Sequence, residues 1–340
     1  MSCDFASKAF LLVSDFVKPN TGEDVSDALQ ELILNNPQRV LFFPDGEYLL
    51  SKPICTPANP DHAVSLQLSS FAIIKAMDCW EDDEALIRLG AAEPFNTIFT
   101  NGSNYYLSGG VIDGNDRANG VSIDSGRETR VENVSIKHTK IGLHIKYGAN
   151  SGSSDADICN VNIAGRGTVD SIGVLIEGMD NTLTNMRIAR VQIGVKLVRG
   201  GNYLRNIHPL YSLKSGFDHY TDSIAFLDVS WENWFDFCYS DQYATGFYLK
   251  EGVRSIFHNC FCYWWKTVEG GQTGFRVEGK LSALITNTKV TFRADADNTN
   301  FLLVDEPGGN GVIENPFFKE SMALDKSYRD YLVGKVIEPQ

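Results

Sequence analysis

The chain has 340 residues, of which 43% are hydrophobic and 21% are charged, and its net charge is −13. That is enough apolar sequence for one large domain, whereas the acidic balance disfavours binding to nucleic acid or to an anionic membrane surface. The apolar run at residues 9–13 is too short for a signal peptide or a membrane span. The seven cysteines show no disulfide-framework spacing, so we expect a reducing, cytoplasmic location.

The first predicted element is a short amphipathic helix over residues 23–35. Apolar side chains recur there at helical spacing from Val25 to Ile33, and Pro37 follows as a stop signal. Residues 39–50 then form a predicted strand, a Pro-Asp-Gly turn and a second strand. The helix is expected to cover the open end of the structure that follows.

From residue 120 to residue 318 a short pattern recurs eight times, with 21 to 31 residues between copies. Each copy contains an apolar residue, any residue, an Asn, two further residues and a second apolar residue. The fifth copy has Asp228 at the Asn position and Trp231 at the second apolar position, so Trp231 is expected to face the interior. The Asn positions are Asn133, Asn160, Asn185, Asn206, Asn259, Asn287 and Asn315.

A second marker accompanies the first. A Gly followed by alternating apolar residues precedes the Asn position by 12 to 18 residues. These positions are Gly120, Gly142, Gly173, Gly194, Gly216, Gly246 and Gly274, with Asn300 in the last copy.

Repeats of this length with short alternating strands are typical of a solenoid, whose units bury an apolar face only by stacking. They predict an all-β parallel β-helix of about ten coils with roughly three strands per coil. Stacked at one corner about 4.8 Å apart, the Asn amides are expected to be buried and to satisfy one another. We assign residues 1–38 to an N-terminal segment with the capping helix, 39–318 to the β-helix and 319–340 to a C-terminal cap, all in one domain.

Three stretches resemble a known superfamily. They are Phe43-Pro-x-Gly-x-Tyr48 after the helix, Ile74-Lys-Ala76, and Gly109-Gly-Val-Ile-Asp-Gly-Asn115. Together they look like the first coils of the pectate lyase-like superfamily, which includes polygalacturonase-related proteins and phage tailspikes. The resemblance implies a right-handed β-helix and a carbohydrate substrate, but no single reaction. Polygalacturonase catalytic motifs are absent from this chain, so their carboxylates cannot be assigned to residues here.

The strand after each Gly commonly forms the floor of the substrate cleft in that superfamily. Alternation predicts which of its side chains point outward, and the ionisable and tyrosine side chains among them are candidates for binding sugar hydroxyls or a carboxylate. The alternative is a solvated face held by ion pairs between coils. The candidates are His144, Lys146, Lys196, Asp218, Tyr220, Tyr248 and Arg276.

Two long turns rich in aromatic residues are predicted to lead into this strand, over residues 232–245 and 263–273. Aromatic rings match the C–H faces of sugars, so these turns are expected to contact substrate. Contact with another copy of the chain in a homotrimer is the alternative use of these rings. The substrate-binding candidates here are Trp234, Tyr239, Trp264 and Trp265.

Carboxylates interleave with these aromatic residues. Glycoside hydrolysis needs one protonated acid and one carboxylate as base or nucleophile. We predict that Asp218 acts with one of Glu232, Asp236 and Asp241 in a glycoside hydrolase or transglycosylase. No metal or other cofactor is expected. A polysaccharide lyase using Lys146, Lys196 and Arg276 is the second hypothesis, and a non-catalytic glycan-binding or phage tail protein is the third.

Overall fold

The computed structural model describes residues 10–81, 83–93, 106–147, 153–211, 220–266, 271–292, 299–319 and 325–338. It confirms an all-β, right-handed parallel β-helix. Coils contribute strands to three faces, which we number sheets 1 to 3. Sheet 1 has ten strands in chain order, matching the expected number of coils. Its strands are Ile54–Pro57, Ala85–Ala92, Asn119–Ile123, Ile141–Ile145, Ile172–Ile176, Ile193–Leu197, Ile224–Asp228, Thr245–Leu249, Gln272–Val277 and Thr299–Val304.

Sheets 2 and 3 meet at the corner that holds the repeated Asn residues, and two long strands run through both sheets. Sheet 2 contains Leu11–Leu12, Arg39–Phe43, Val64–Leu68, Tyr106–Ser108, Arg130–Glu132, Asp157–Cys159, Trp234–Asp236, Ile256–His258, Leu284–Thr286, Val312–Glu314 and Leu332–Val333. Sheet 3 contains Gly46–Leu50, Ala72–Ala76, Val111–Asp113, Ser135–Thr139, Asn162–Gly165, Tyr239–Asp241, Phe261–Trp264 and Lys289–Phe292. The shared strands are Thr182–Ala189 and Tyr203–Leu210, and Gly126–Arg127 pairs separately with Ser153–Ser154.

The seven predicted Asn residues occupy the corner between sheets 2 and 3. Each has a φ between 48° and 58°, in the left-handed region that Asn tolerates better than most residues. Their amides do pair between coils, as when Nδ2 of Asn160 donates to Oδ1 of Asn133 at 3.1 Å. The expectation that these Asn residues are buried was wrong, because six of the seven are exposed and Asn259 is half-exposed. Asn is favoured here by backbone conformation and not by burial.

The fifth copy of the repeat was placed wrongly. Phe237, with a φ of 51°, occupies that corner, because Arg205 pairs with Asp236 and Asp236 with His258. Asp228 instead ends a strand of sheet 1, between Leu197 and Leu249. Trp231 therefore does not face the interior and is 57% exposed.

The Gly marker identifies sheet 1, but two of its copies were misplaced. In the last copy Asn300 pairs with Thr273, so Phe301 and not Asn300 lies opposite Gly274. Gly142 illustrates why the residue is small, since a Cβ there would lie 2.5 Å from Ile163 Cγ2 and 2.7 Å from the Gly173 carbonyl oxygen. In the fifth copy the strand is Ile224–Asp228, not the predicted strand after Gly216, and Gly216 lies outside the described residues.

A second column of Asn residues lies buried at the corner between sheets 1 and 2. Nδ2 of Asn181 donates to Oδ1 of Asn202 at 2.9 Å, and Nδ2 of Asn202 donates to Oδ1 of Asn233 at 3.2 Å. Asn233 Nδ2 continues the column to Asp228 Oδ1 at 3.2 Å. Burial raises the pKa of Asp228, while hydrogen bonds from Ser255 and Ser230 oppose that rise. This internal ladder was not predicted from the sequence.

The predicted helix is confirmed as Ser26–Leu34, with Leu29 and Ile33 fully buried. It closes the first coil, since Gln30 Oε1 accepts from the Cys55 backbone N–H at 2.7 Å and its Nε2 donates to the Cys55 carbonyl oxygen at 2.9 Å. Short 3₁₀ helices span Val13–Asp15, Pro60–His62, Tyr220–Asp222 and Ser327–Tyr331. In the described ranges no helix is long and apolar enough to cross a membrane.

Candidate functional site

The outward face of sheet 1, which we call the shelf, has the predicted register except in the fifth and the last copies. Lys196 pairs with Leu227 on the next coil, so Leu227 and not Asp218 follows it in the outward column. Asp218 lies outside the described residues. Tyr220 does not point outward. It lies in a 3₁₀ helix and is buried, its hydroxyl accepts from Gln272 Nε2 at 3.3 Å, and burial raises its pKa to about 12.

Charged side chains at the N-terminal end of the shelf are paired with one another. Lys146 Nζ lies 2.5 Å from Glu84 Oε2 and 3.3 Å from Asp124 Oδ2. Arg88 Nη2 lies 2.5 Å from the same Asp124 oxygen, and His144 Nε2 lies 2.8 Å from Glu177 Oε2 on the next coil. Burial acts to raise the pKa of Asp124, but its hydrogen bond from Arg88 and the other contacts outweigh this and lower it.

The C-terminal end of the shelf is arranged in the same way. The Tyr248 hydroxyl donates to Glu278 Oε2 at 3.1 Å, and Lys250 pairs with the same carboxylate. Arg276 Nη2 lies 3.3 Å from Asp305 Oδ1. Lys196 lies between these clusters, flanked by Leu175 and Leu227. The shelf therefore consists mainly of ion pairs between coils, as the alternative interpretation expected.

The predicted aromatic turn at 232–245 is regular structure. Trp234–Asp236 and Tyr239–Asp241 are strands of sheets 2 and 3, with Phe237 at the corner between them. Asp236 therefore points out from sheet 2 and Asp241 from sheet 3, and the two carboxylates do not converge. Glu232 lies just before the sheet 2 strand and is half-buried.

Asp236 is the centre of a polar network on sheet 2. Its Oδ1 lies 3.0 Å from His258 Nδ1, and its Oδ2 lies 3.5 Å from Arg205 Nε and accepts from the Tyr203 hydroxyl at 3.3 Å. Burial and the neighbouring Asp236 charge raise the pKa of Tyr203. The Asp236 side chain is 17% exposed. Parallel pairing of consecutive coils brings these four groups together, and Trp234 lies directly above Tyr203 in the same sheet.

Asp241 has different surroundings on sheet 3. Its Oδ2 lies 3.6 Å from His208 Nε2. The neighbouring Tyr239 ring is stacked between His208, with centroids 4.1 Å apart, and Phe261, at 4.8 Å. Both faces of Tyr239 are therefore covered, and only its edge remains for a ligand. Burial and the Asp241 charge raise the pKa of Tyr239.

The second predicted aromatic turn, at 263–273, is divided between core and surface. Trp264 is buried, and its Nε1 donates to the Tyr243 carbonyl oxygen at 2.6 Å, so its predicted contact with substrate was wrong. Trp265 is exposed, and its backbone N–H donates to Gln242 Oε1 at 3.0 Å.

Three exposed rings remain on the coil of residues 231–241, and we call them the aromatic band. Trp231, Trp234 and Phe237 are 57%, 37% and 52% exposed. Trp231 rests on Gly200, where a Cβ would lie 3.0 Å from its Cε2. A depression of about 470 Å³ adjoins the band and is lined by Thr184, Asn185, Arg205, Asn206 and Phe237.

Four members of this site were not predicted from the sequence: Tyr203, Arg205, Phe237 and His258. The first three were overlooked because the fifth repeat was assigned to Asp228, which placed the wrong residues beside Trp234. Among the residues that the structure describes, no group of three or more His, Cys, Asp or Glu side chains is arranged to hold a metal ion.

No protein-family model matches this chain. No curated protein matches it either. Solved structures do match. The tailspike protein of E. coli bacteriophage HK620, as a mutant in complex with a pentasaccharide, aligns with a TM-score of 0.68 at 12% identity over 92% of this chain and 66% of that chain. A double mutant of the same tailspike gives a TM-score of 0.71 at 11% identity over 97% and 65%.

A surface adhesin of Streptococcus pneumoniae, PfbA, aligns with a TM-score of 0.51 at 12% identity over 90% of each chain. The chain thus spans about two thirds of the tailspike chains it matches. Its fold is the parallel β-helix of phage tailspikes and of adhesins of this kind.

Proposed function

We propose that the protein binds a glycan at the aromatic band, as a tailspike-type component of a phage particle. The observation that carries this proposal is the exposure of Trp234 and Phe237 beside the Asp236 network and a depression of about 470 Å³. A sugar presents an apolar C–H face and a hydroxylated edge, so it is complementary to a ring that adjoins paired polar groups.

Sheet 2 supplies both kinds of contact within one coil. Trp234 provides the exposed ring, and two residues later Asp236 provides a carboxylate already oriented by Arg205 and His258. Because these partners fix the carboxylate in advance, little side-chain entropy is lost when a hydroxyl binds. The shelf offers no comparable arrangement, since most of its charged groups are also paired but no exposed aromatic ring lies among its described residues.

The structural comparisons support the class of ligand. The tailspike structure described above is a complex with a pentasaccharide, and PfbA is a surface adhesin. At 12% identity the likeness itself concerns the fold, so the ligand rests on the residues of the band.

Glycoside hydrolysis is the second candidate function, favoured by the 3.0 Å contact between Asp236 and His258 beside Trp234. Glu232 is the partner carboxylate that we propose, because it lies on the same coil before sheet 2, whereas Asp241 points out from sheet 3. Hydrolysis would release new reducing ends and would be lost in Glu232→Gln and Asp236→Asn. A lyase would instead generate an unsaturated uronate that absorbs in the ultraviolet, and binding without either product would identify a non-catalytic protein.

The test of binding is a titration of the wild-type chain with neutral and acidic oligosaccharides by isothermal calorimetry. Trp234→Ala should lower the affinity for the best ligand about tenfold, because a stacked aromatic contact contributes on the order of 1.5 kcal/mol. The matched control is Phe71→Ala, which removes an exposed ring from a turn outside the band. Equal losses in both variants, or none in Trp234→Ala, would refute the proposed site.

The competing use of the band is contact between copies in a homotrimer. Light scattering of wild-type protein and Trp234→Ala separates the two uses. A trimer that dissociates in the variant, without any glycan affinity in the wild type, would assign the rings to an interface.

A further inference from the structure

The corner between sheets 2 and 3 has one exceptional residue. Seven of its positions in the later coils are Asn, and the eighth is Phe237 with a φ of 51°. A bulky L-residue rarely adopts the left-handed region, because its Cβ approaches the following carbonyl oxygen, whereas Asn tolerates it. Phe237 is therefore a local conformational outlier at a site where the fold otherwise selects Asn.

Phe237 also interrupts the amide contacts of the corner. Nδ2 of Asn206 donates to Oδ1 of Asn185 at 2.8 Å on the preceding coils. On the following coil, Nδ2 of Asn259 lies 3.0 Å from Nδ1 of the His258 ring. The Phe237 side chain offers no hydrogen bond to either neighbour in return.

Core packing does not compensate for these losses. The Phe237 ring is 52% exposed, whereas Phe235, two residues earlier, is buried and stacks on Phe257 with centroids 4.6 Å apart. Backbone strain retained without a packing benefit is more common at functional sites than elsewhere. The strained backbone of Phe237 therefore points to a functional role for its exposed ring.

The surface beside the ring indicates what it would contact. The depression is lined by two Asn amides, the Thr184 hydroxyl and Arg205. The Arg205 charge is already opposed by Asp236, whose Oδ2 lies 3.5 Å from Nε. A wall that offers amide and hydroxyl groups but little net charge suits a neutral sugar better than a uronate.

We propose that Phe237 is a specificity-determining residue that stacks on one neutral sugar unit held in this depression. The proposal rests on the glycan-binding function above and names a second subsite beyond Trp234. Trp234 projects from sheet 2 and Phe237 from the adjoining corner, so the bound chain would cross from the sheet onto the corner. The adjacent Asn185 and Asn206 amides would select the hydroxyl pattern of that unit.

The decisive variant is Phe237→Asn, which restores the residue found at the other seven corners. We expect its unfolding temperature to equal that of the wild type or to exceed it by up to about 2 °C, since the left-handed backbone is better tolerated. We expect its affinity for the best neutral oligosaccharide to fall about tenfold, whereas Phe237→Tyr should retain affinity. A variant that is equally stable yet binds worse would separate the ring's role from folding.

The outcomes distinguish this inference from the proposed function. If Trp234→Ala loses affinity and Phe237→Asn keeps it, the subsite is refuted while glycan binding stands. If Phe237→Asn unfolds at a clearly lower temperature, the ring is needed for stability and the argument from strain fails. If the wild type binds no oligosaccharide in calorimetry, both proposals fail together.

Discussion

On the shelf, the outward side chains of Lys146 and Arg88 both contact Asp124. On the coil of residues 231–241, by contrast, the outward rings of Trp234 and Phe237 remain exposed. The shelf residues and Trp234 have the same origin, an alternating strand whose every second side chain leaves the interior, whereas Phe237 lies at the corner that follows such a strand. The difference lies in the neighbours above and below. Opposite charges stacked on adjacent coils satisfy one another, whereas the rings of Trp234 and Phe237 have no charge to neutralise and stay partly exposed.

The largest expected effect would test the structural role of the shelf. Lys146→Met removes one of the two cations that contact both Asp124 and Glu84, the other being Arg88. We expect a loss of about 2 kcal/mol in the free energy of unfolding, because these groups are half-buried or more but Arg88 still opposes both carboxylates. Glycan affinity should not change. Denaturant titration together with calorimetry measures both quantities.

Its control is Lys196→Met, because Lys196 lies between leucines and not within either ion-pair cluster. That variant should unfold within about 0.5 kcal/mol of the wild type. A loss of glycan affinity in either variant would instead make the shelf a binding surface.

A smaller effect is expected in the Asp236 network. Arg205→Met removes a cation 3.5 Å from Asp236 and alters one wall of the depression, so affinity should fall about fivefold, equivalent to about 1 kcal/mol. The unfolding temperature should change little because Arg205 is exposed. Calorimetric titration with the best oligosaccharide measures the change.

The matched control is Arg130→Met, another outward arginine of sheet 2, located over the Tyr106 ring at 5.4 Å. Equal affinities for wild type and Arg205→Met would show that the network does not contribute to binding.

The smallest expected effect is the pH dependence of the stability that Asp124 contributes. The folded protein lowers the pKa of Asp124, so its ionised form contributes stability that is present above the ordinary Asp pKa of about 3.9 and is lost as pH falls through the lower folded value. Asp124→Asn should therefore be less stable than the wild type at pH 7, by about 1 kcal/mol. The difference should shrink in strong acid. A difference that persists unchanged at low pH would mean that packing, not charge, explains Asp124.

The sequence predicted the regular parts of the molecule because their requirements are local. The left-handed corner selects Asn, and the close approach of strands at Gly142 selects Gly, so each requirement leaves a residue that recurs along the chain. The capping helix could be predicted for the same reason, from spacing and a stop signal. The prediction failed where one copy departs from the rule, since nothing in local propensity identifies Phe237 as a corner residue.

The candidate site depended on that copy. Trp234 and Asp236 were identified from composition, but Tyr203, Arg205 and His258 became their neighbours only through parallel pairing with coils about 30 residues before and about 20 residues after. Likewise, Lys146 contacts Glu84 across 62 residues of sequence.

The sequence alone thus determined the repeat and the face on which most side chains lie, and its resemblance to a known superfamily implied a right-handed β-helix. Only the tertiary structure decided which carboxylates share a face and which aromatic rings are exposed. The physical reason is that strand alternation is a property of one chain segment, whereas partners between coils depend on register. One repeat was assigned to Asp228 although Phe237 occupies that corner, and this single error gave Trp234 and Asp236 the wrong neighbours.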